Sequence, residues 1–286
     1  SVADDGGSTG RIREDLDIIA PGDLRNCLVA MADKEGLMEQ LFAHRFGGSG
    51  DLTGHSFGNL FIAALIEVLG DVEEAMDATS KILRVRGKVI PSSAEKIRLN
   101  AKMTDGRIIE GESQIPHAHG RIKSVFTTPE HPKAIRSAVD AIKGADAIVL
   151  GPGSLYTSII PNFLVSGISD AVRQSRACKI YALNIMTQDG ETDGYDADDH
   201  VRAILEHAGP GVIDVCIANS TPVPPEIMEP YAKEGVAQLE LNRTDIEQLG
   251  IAVRTFPLLE PGRYIRHNSD ALARAILSVW QEFRKK

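Results

Sequence analysis

Carboxylates, glycines and hydroxyl groups are concentrated in one short stretch near the start of the chain. Residues 3–11 read Ala-Asp-Asp-Gly-Gly-Ser-Thr-Gly-Arg. Glycines let backbone amides approach a phosphate closely, hydroxyls can donate hydrogen bonds, and adjacent carboxylates can hold Mg²⁺. A tight turn with solvated acids is the simpler alternative, but the residue types favour a ligand site. The candidate ligand-binding residues are Gly6, Gly7, Ser8 and Thr9, and the candidate metal ligands are Asp4 and Asp5.

A second glycine-rich turn directly follows a predicted strand. The apolar residues 147–150 are typical of a buried strand, and Gly-Pro-Gly-Ser-Leu-Tyr-Thr-Ser follows at 151–158. Unpaired amides and a helix dipole at such a turn favour an anion. The turn lacks the Gly-Lys-Ser/Thr of a Walker loop, and Tyr156 stands where a Gly-x-Gly-x-x-Gly motif has its last glycine. An ordinary structural turn is the alternative to an anion site.

Amide side chains follow two further predicted strands. Asn184 and Asn219 each stand at a strand end, where paired donors and acceptors can recognise a base or a sugar. An Asx-turn is an equally good interpretation of each. His55 and Asn59 are four residues apart at the start of a strongly apolar helix, so they share one face. For this pair we favour ligand contact over a buried polar pair.

Three familiar motifs are incomplete. The loop 189–194 resembles the start of an EF-hand, but His200 stands where the bidentate glutamate is required. His117 and His119 have no third zinc ligand nearby in the sequence. The Gly-x-Ser-x-Gly turn of many hydrolases is absent from the sequence. We therefore predict neither calcium nor zinc, and no organic cofactor.

Alternating strand and helix signals indicate the fold class. Short strands rich in Val and Ile are typical of a parallel sheet that is covered on both faces. Residues 97–103 and 108–115 predict a hairpin around Asp105-Gly106, with a further strand at 122–126. We therefore predict a Rossmann-like, doubly wound, mostly parallel α/β sheet. Residues 1–286 are expected to form a single domain with a β-rich insertion at about 88–126.

Composition excludes several function classes. The 31 Lys and Arg against 40 Asp and Glu give a net charge of −9, which disfavours nucleic-acid and membrane-surface binding. Three widely separated cysteines argue against a disulfide framework. The sequence contains no apolar run near the ~20 residues that a spanning helix needs. We expect a cytoplasmic protein, and the fold class is compatible with a homodimer.

Several strings together resemble the gluconeogenesis factor family, the YvcK branch of the CofD-like superfamily that is named for 2-phospho-L-lactate transferase. The resemblance extends to 266–268, near the end of the chain. Family members begin with a strand and a Gly-Gly-Gly-Thr-Gly loop that this sequence lacks, so we expect a further segment upstream. The strings that carry the resemblance lie at 3–11, 21–26, 54–59, 151–162 and 184–188.

The resemblance implies a nucleotide-binding fold and a role in gluconeogenic growth, cell shape and wall synthesis. The implied ligand is a UDP-sugar such as UDP-N-acetylglucosamine. By position, Asp4, Asp5 and Asp23 would line the metal or pyrophosphate side, and Arg25 and Asn26 match the factor branch. The remaining candidate ligand-binding residues are Gly153, Ser154, Thr157, Asn184, Asn219 and Arg266.

A transferase is the alternative that the resemblance leaves open. The transferase branch moves a phospholactyl group from a guanosine diphosphate donor to a deazaflavin with the help of Mg²⁺. In that case Asp5 or Asp23 would be the catalytic carboxylate that orients the acceptor hydroxyl. The sequence separates this enzyme only weakly from a binding factor without turnover.

Overall fold

The computed structural model describes residues 2–32 and 37–284. The N-terminal part of these ranges is helical. A break is predicted near 33–36, outside the described residues, and helices lie on both sides of it. The predicted helices that begin after Ser56 and Asp71 are confirmed: Gly70 ends the first at φ +72°, and the Asp71 carboxylate caps the second by accepting from Glu74 N at 2.9 Å. The helices are α1 (Gly7–Leu16), α2 (Pro21–Met31), α3 (Leu37–Ala43), α4 (Phe57–Leu69) and α5 (Val72–Ile82).

A small antiparallel sheet follows. It contains β1 (Arg98–Met103), β2 (Ile108–Glu110) and β3 (Ile122–Thr128) in the order β2-β1-β3. The hairpin and the third strand are therefore confirmed, but the second arm ends at Glu110 rather than at residue 115. Gly111 adopts φ +93°, and the chain then forms two short 3-10 turns, Glu112–Gln114 and Pro116–Ala118.

The second half of the chain forms a parallel sheet. Its strands are β4 (Ala147–Leu150), β5 (Cys178–Ala182), β6 (Val215–Asn219) and β7 (Ala252–Phe256), paired in chain order. Because the strands are parallel, their carboxyl ends meet at one edge of the sheet. The helices of this half are α6 (Arg136–Gly144), α7 (Ile160–Phe163), α8 (Ile168–Gln174), α9 (Ala197–Ala208), α10 (Pro225–Lys233), α11 (Arg243–Gln248) and α12 (Ser269–Arg284).

Helices cover both faces of this parallel sheet. Ile180 belongs to a buried cluster with Leu272 and Val279 of α12. The next residue, Tyr181, points to the other face and joins the large cluster that includes Val201 of α9. This alternation along β5 is the period of two expected for a strand buried on both sides. The predicted Rossmann-like α/β fold is confirmed.

The small sheet shares the large hydrophobic cluster with the parallel sheet. Leu99 and Val125 of the small sheet are buried in the same cluster as Cys216 of β6. His207 of α9 links the two parts directly, since its Nε2 accepts from Val125 N at 3.0 Å. Within the described ranges, we find no helix with both the length and the apolar composition needed to cross a bilayer.

Candidate functional site

The first candidate region surrounds the carboxylate of Asp4. Its Oδ1 accepts from Gly6 N at 2.9 Å. A side chain at Gly22 would collide with the Asp4 carboxylate and the Thr9 hydroxyl. Helix α2 can therefore pack against these two residues only because residue 22 is glycine. Asp23 follows on α2, and its pKa is raised by burial and by the charge of Asp4. The predicted carboxylates Asp4 and Asp23 are therefore close together.

The carboxylate of Asp5 reaches the small sheet instead. It accepts from Ser113 N at 2.8 Å, and a Cβ at Gly111 would lie 2.5 Å from its Oδ2. Glu112 stands between these two residues, and its Oε2 is buried without a hydrogen-bond partner among the described residues. Burial and the three neighbouring aspartates raise the pKa of Glu112 to about 9. Sequence reasoning missed Glu112, whose only signal is an acidic residue directly after a turn glycine.

The donor atoms of this acidic cluster, defined as Asp4, Asp5, Asp23 and Glu112, suit Mg²⁺ chemically. All are carboxylate oxygens, and the buried Oε2 of Glu112 has no hydrogen-bond partner within the described ranges. Yet among residues 2–32 and 37–284 no three such side chains are grouped closely enough to hold one ion. Mg²⁺ commonly uses one or two carboxylates together with ligand phosphates. The cluster thus fits Mg²⁺ in company with a phosphorylated ligand, and the Mg²⁺ site stays a prediction.

The predicted polar residues of α1, of α4 and of the segment just before α4 form one buried group. Ser8 Oγ accepts from Ser56 N at 3.1 Å and lies 3.3 Å from His55 Nδ1. Asn59 Nδ2 donates to Ser8 Oγ at 3.4 Å and to Thr9 Oγ1 at 3.3 Å. Burial and the charge of nearby Arg11 lower the pKa of His55. These contacts hold α1 against α4.

The glycine stretch itself differs from the expected turn. Gly6 is the N-cap of α1, and Gly7 begins the helix at φ +45°. Ser8 and Thr9 therefore lie in the first helical turn, each only 3% exposed. Their hydroxyls face α4 rather than solvent.

Arg25 and Asn26 lie on the same helix as Asp23. Arg25 Nη2 donates to Asn26 Oδ1 at 2.5 Å. Burial and the like charge of Arg45 lower the pKa of Arg25. Asn26 is exposed, whereas Arg25 is 9% exposed. Arg25 thus lies two positions after Asp23, the one member of the acidic cluster that belongs to α2.

The second candidate region lies at the carboxyl edge of the parallel sheet. Asn184, after β5, forms a reciprocal pair with the backbone of Gly153, after β4. Gly153 N donates to Asn184 Oδ1 at 3.2 Å, and Asn184 Nδ2 donates to Gly153 O at 2.9 Å. The Asn184 amide therefore holds the glycine turn in place.

The helical turn that follows Ser154 is held by a buried glutamate. Glu191 accepts from Tyr156 N at 3.2 Å and from Thr157 Oγ1 at 2.8 Å. Gln188 Nε2 donates to the same carboxylate at 3.1 Å. Donors at this helix start are thus bonded to the protein's own side chain, and the binding of an anionic ligand at this turn stays a prediction. Sequence reasoning missed Glu191 because its loop is 35 positions away from Tyr156.

Asn219, at the end of β6, forms an Asx-turn. Its Oδ1 accepts from Thr221 N at 3.1 Å and from Leu258 N at 3.0 Å, and its Nδ2 donates to Thr221 O at 2.6 Å. The bond to Leu258 N fixes the start of the segment that follows β7. Asn219 therefore positions this segment.

Arg266 lies on that same segment, at a polar cavity of about 500 Å³. Its guanidinium carbon lies 5.5 Å from the centre of the Tyr264 ring, and Tyr264 is 57% exposed. The neighbouring His267 has a buried Nε2 without a partner among the described residues, and burial lowers its pKa. Glu260, Arg263 and Asp270 also line the cavity. This edge therefore offers charged and aromatic groups to a ligand.

The two regions touch through the loop that carries Glu191. Gly190 adopts φ +74°, and any Cβ there would collide with the carbonyl of Pro116, shortly after Glu112. The contacts thus run from Asp5 through the 3-10 turns to the loop after β5. The acidic cluster and the carboxyl edge of the parallel sheet are therefore connected through direct contacts within the protein.

Comparisons with known proteins place this α/β fold in a family. The model of the 2-phospho-L-lactate transferase CofD family matches residues 1–259. A gluconeogenesis factor of Halalkalibacterium halodurans is 47% identical over 97% of this chain and 86% of its own length. The gluconeogenesis factor of Bacillus subtilis is 44% identical over 99% of this chain and 89% of its own. The chain therefore belongs to the gluconeogenesis factor branch of the CofD family.

A solved structure agrees with this assignment. The crystal structure of a Bacillus halodurans protein has a TM-score of 0.94 and 46% sequence identity to this chain. The match covers 96% of this chain and 89% of that one. The resemblance recognised in the motifs is thus confirmed for both sequence and fold.

Proposed function

We propose that this protein binds a nucleotide sugar and acts as a regulatory gluconeogenesis factor in cell shape and wall synthesis, without turnover of its own. The observation that carries the proposal is the polar cavity around Arg266 at the carboxyl edge of the parallel sheet. Ligands of open α/β sheets bind at this edge. The relatives' name supports the gluconeogenic role.

The chemistry of the cavity suits a UDP-sugar. The Arg266 guanidinium can pair with a phosphate through two parallel hydrogen bonds. The exposed ring of Tyr264 offers an apolar face on which a base can stack. Asn219 accepts from Leu258 N and so holds the start of the segment that carries Arg266, which reduces the entropy that this segment loses on binding. UDP-N-acetylglucosamine is the expected ligand.

The test is a calorimetric titration of UDP-N-acetylglucosamine into the wild type and Arg266→Ala. Loss of hydrogen bonds to a charged group predicts affinity weakened by about 1–3 kcal/mol. Arg274→Ala is the matched control, because Arg274 is an exposed arginine of the adjacent helix α12. It should bind like the wild type. Equal affinity of Arg266→Ala and the wild type would remove Arg266 from the site.

A second candidate is the Mg²⁺-dependent phospholactyl transferase, and the acidic cluster favours it. Glu112 is buried among three aspartates that raise its pKa, an arrangement that a cation would stabilise. One or two of Asp4, Asp5 and Asp23, together with phosphate oxygens of the donor, would hold Mg²⁺, which when bound would neutralise charge on the donor's pyrophosphate. Asp5 or Asp23 would orient the acceptor hydroxyl. Mg²⁺-dependent binding of GDP would distinguish this candidate from the first.

A further inference from the structure

Arg25 is a deeply buried cation whose guanidinium is incompletely bonded. The residue is 9% exposed, and its Nε has no hydrogen-bond partner among the described residues. The hydrophobic stem packs against α4 at Gly58, where a Cβ would lie 2.8 Å from Arg25 Cδ. Asn26 Oδ1 accepts from Nη2 and orients the group. A buried charge without a full set of hydrogen-bond partners is costly, and an anion bound to the guanidinium would reduce that cost.

The backbone of Arg45 lies near the segment that packs against the Arg25 stem, and burial and the charge of Arg45 lower the pKa of Arg25. Arg45 forms a backbone bridge with Ser56, two residues before the glycine that contacts the Arg25 stem. Arg45 Nη1 donates to the carbonyl of Gly54 at 3.1 Å, and the structure shows no further hydrogen bond of this guanidinium within 2–32 and 37–284. Like charges side by side repel each other, and an anion between them would remove the repulsion.

Several donors at the glycine turn after β4 are occupied within the protein. Gly153 N donates to Asn184, and Tyr156 N and the Thr157 hydroxyl donate to Glu191. Arg25 Nε, by contrast, has no hydrogen-bond partner in the part of the chain that the structure describes. Arg25 also lies two positions after Asp23 on α2, and the charge of Asp4, another proposed Mg²⁺ ligand, acts on its guanidinium.

We propose that Arg25 and Arg45 together bind a phosphate group of a phosphorylated ligand. Paired guanidinium groups suit this role, since each can offer two parallel N–H donors to phosphate oxygens. The inference rests on the proposed function in one respect only, namely that the ligand carries phosphate. It adds an anion subsite next to the acidic cluster, with Arg45 as a new binding residue.

The probe is inorganic pyrophosphate, titrated at constant ionic strength while thermal unfolding and heat of binding are followed. The variants are Arg45→Gln, which changes an exposed residue, and Arg25→Met, which keeps the apolar stem. Arg136→Gln is the control, because it removes one positive charge from a side chain that is 94% exposed on α6.

Pyrophosphate should raise the unfolding temperature of the wild type and of Arg136→Gln equally. Arg45→Gln should weaken binding about ten- to hundredfold, as expected for the loss of hydrogen bonds to a charged group. Pyrophosphate should not raise the unfolding temperature of Arg25→Met. Without pyrophosphate, this variant should unfold at the same temperature as the wild type or higher, because a buried charge without a full set of partners is removed.

No response in the wild type would overturn the proposal, as would unchanged affinity in both Arg25→Met and Arg45→Gln. The outcome also separates the two proposals. If UDP-N-acetylglucosamine fails to bind while the pyrophosphate response depends on Arg25 and Arg45, the anion subsite stands and the nucleotide-sugar function fails.

Discussion

At the scale of single residues, the carboxyl group of Glu112 is the most perturbed member of the acidic cluster. Its pKa is raised to about 9 by burial and by the charges of Asp23, Asp4 and Asp5. In an unfolded chain the same group titrates near its ordinary value of 4.5. Between these two values the folded protein binds more protons than the unfolded chain at this position. The contribution of Glu112 to the free energy of unfolding is therefore present in acid and is lost as the pH rises from 4.5 towards 9.

Glu112→Gln removes this proton linkage. Relative to the wild type, the variant should gain stability as the pH rises from 5 to 9, by on the order of a few degrees in unfolding temperature. Mg²⁺ should stabilise the wild type more at pH 8 than at pH 5.5, because protons compete with the cation. Thermal unfolding of both proteins across this pH range, with and without Mg²⁺, measures both effects. If the unfolding temperatures of the two proteins changed with pH in the same way, the burial of Glu112 among the aspartates would be contradicted.

At the scale of elements, the turn after β4 depends on a loop that comes later in the chain. The buried carboxylate of Glu191 accepts three hydrogen bonds, from Tyr156, Thr157 and Gln188. Burial raises the pKa of Glu191, and the hydrogen bonds from Thr157 and Tyr156 oppose that rise. Three donors favour the ionised form, and a negative charge at a helix start is also stabilised by the helix dipole.

Glu191→Gln should destabilise the protein, since one amide donor would then face another donor. We expect a loss of about 1–3 kcal/mol in the free energy of unfolding, measured by urea denaturation. Glu226→Gln is the matched control, because Glu226 is an exposed glutamate in the first turn of α10. It should change little. If both variants unfold alike, Glu191 does not support the turn.

Local signals predicted many elements well. The helix Ile168–Gln174 begins and ends where the sequence places it, and α5 begins at its Asp71 cap. Helix α1 escaped prediction because its glycines have low helix propensity, and its hydroxyls are instead held by Asn59 on α4. The second hairpin arm stops early because Gly111 leaves the extended region of the backbone.

At the scale of the whole molecule, the two candidate regions are joined by contacts between distant parts of the chain. Asp5 bonds to Ser113, 108 positions away, and Gly190 packs against Pro116. The sequence could place Asn184 and Asn219 at one edge because parallel strands end together. It could not reveal Glu112, Glu191 or Arg45, since their roles depend on partners that only the tertiary fold brings near.

The central claim is that the protein binds a nucleotide sugar, and one calorimetric experiment tests it directly. UDP-N-acetylglucosamine and GDP are titrated separately into the wild-type protein, each with and without Mg²⁺. We predict that UDP-N-acetylglucosamine binds with an affinity that Mg²⁺ hardly changes, and that GDP binds more weakly. Mg²⁺-dependent GDP binding without any binding of the UDP-sugar would contradict this account and favour the transferase.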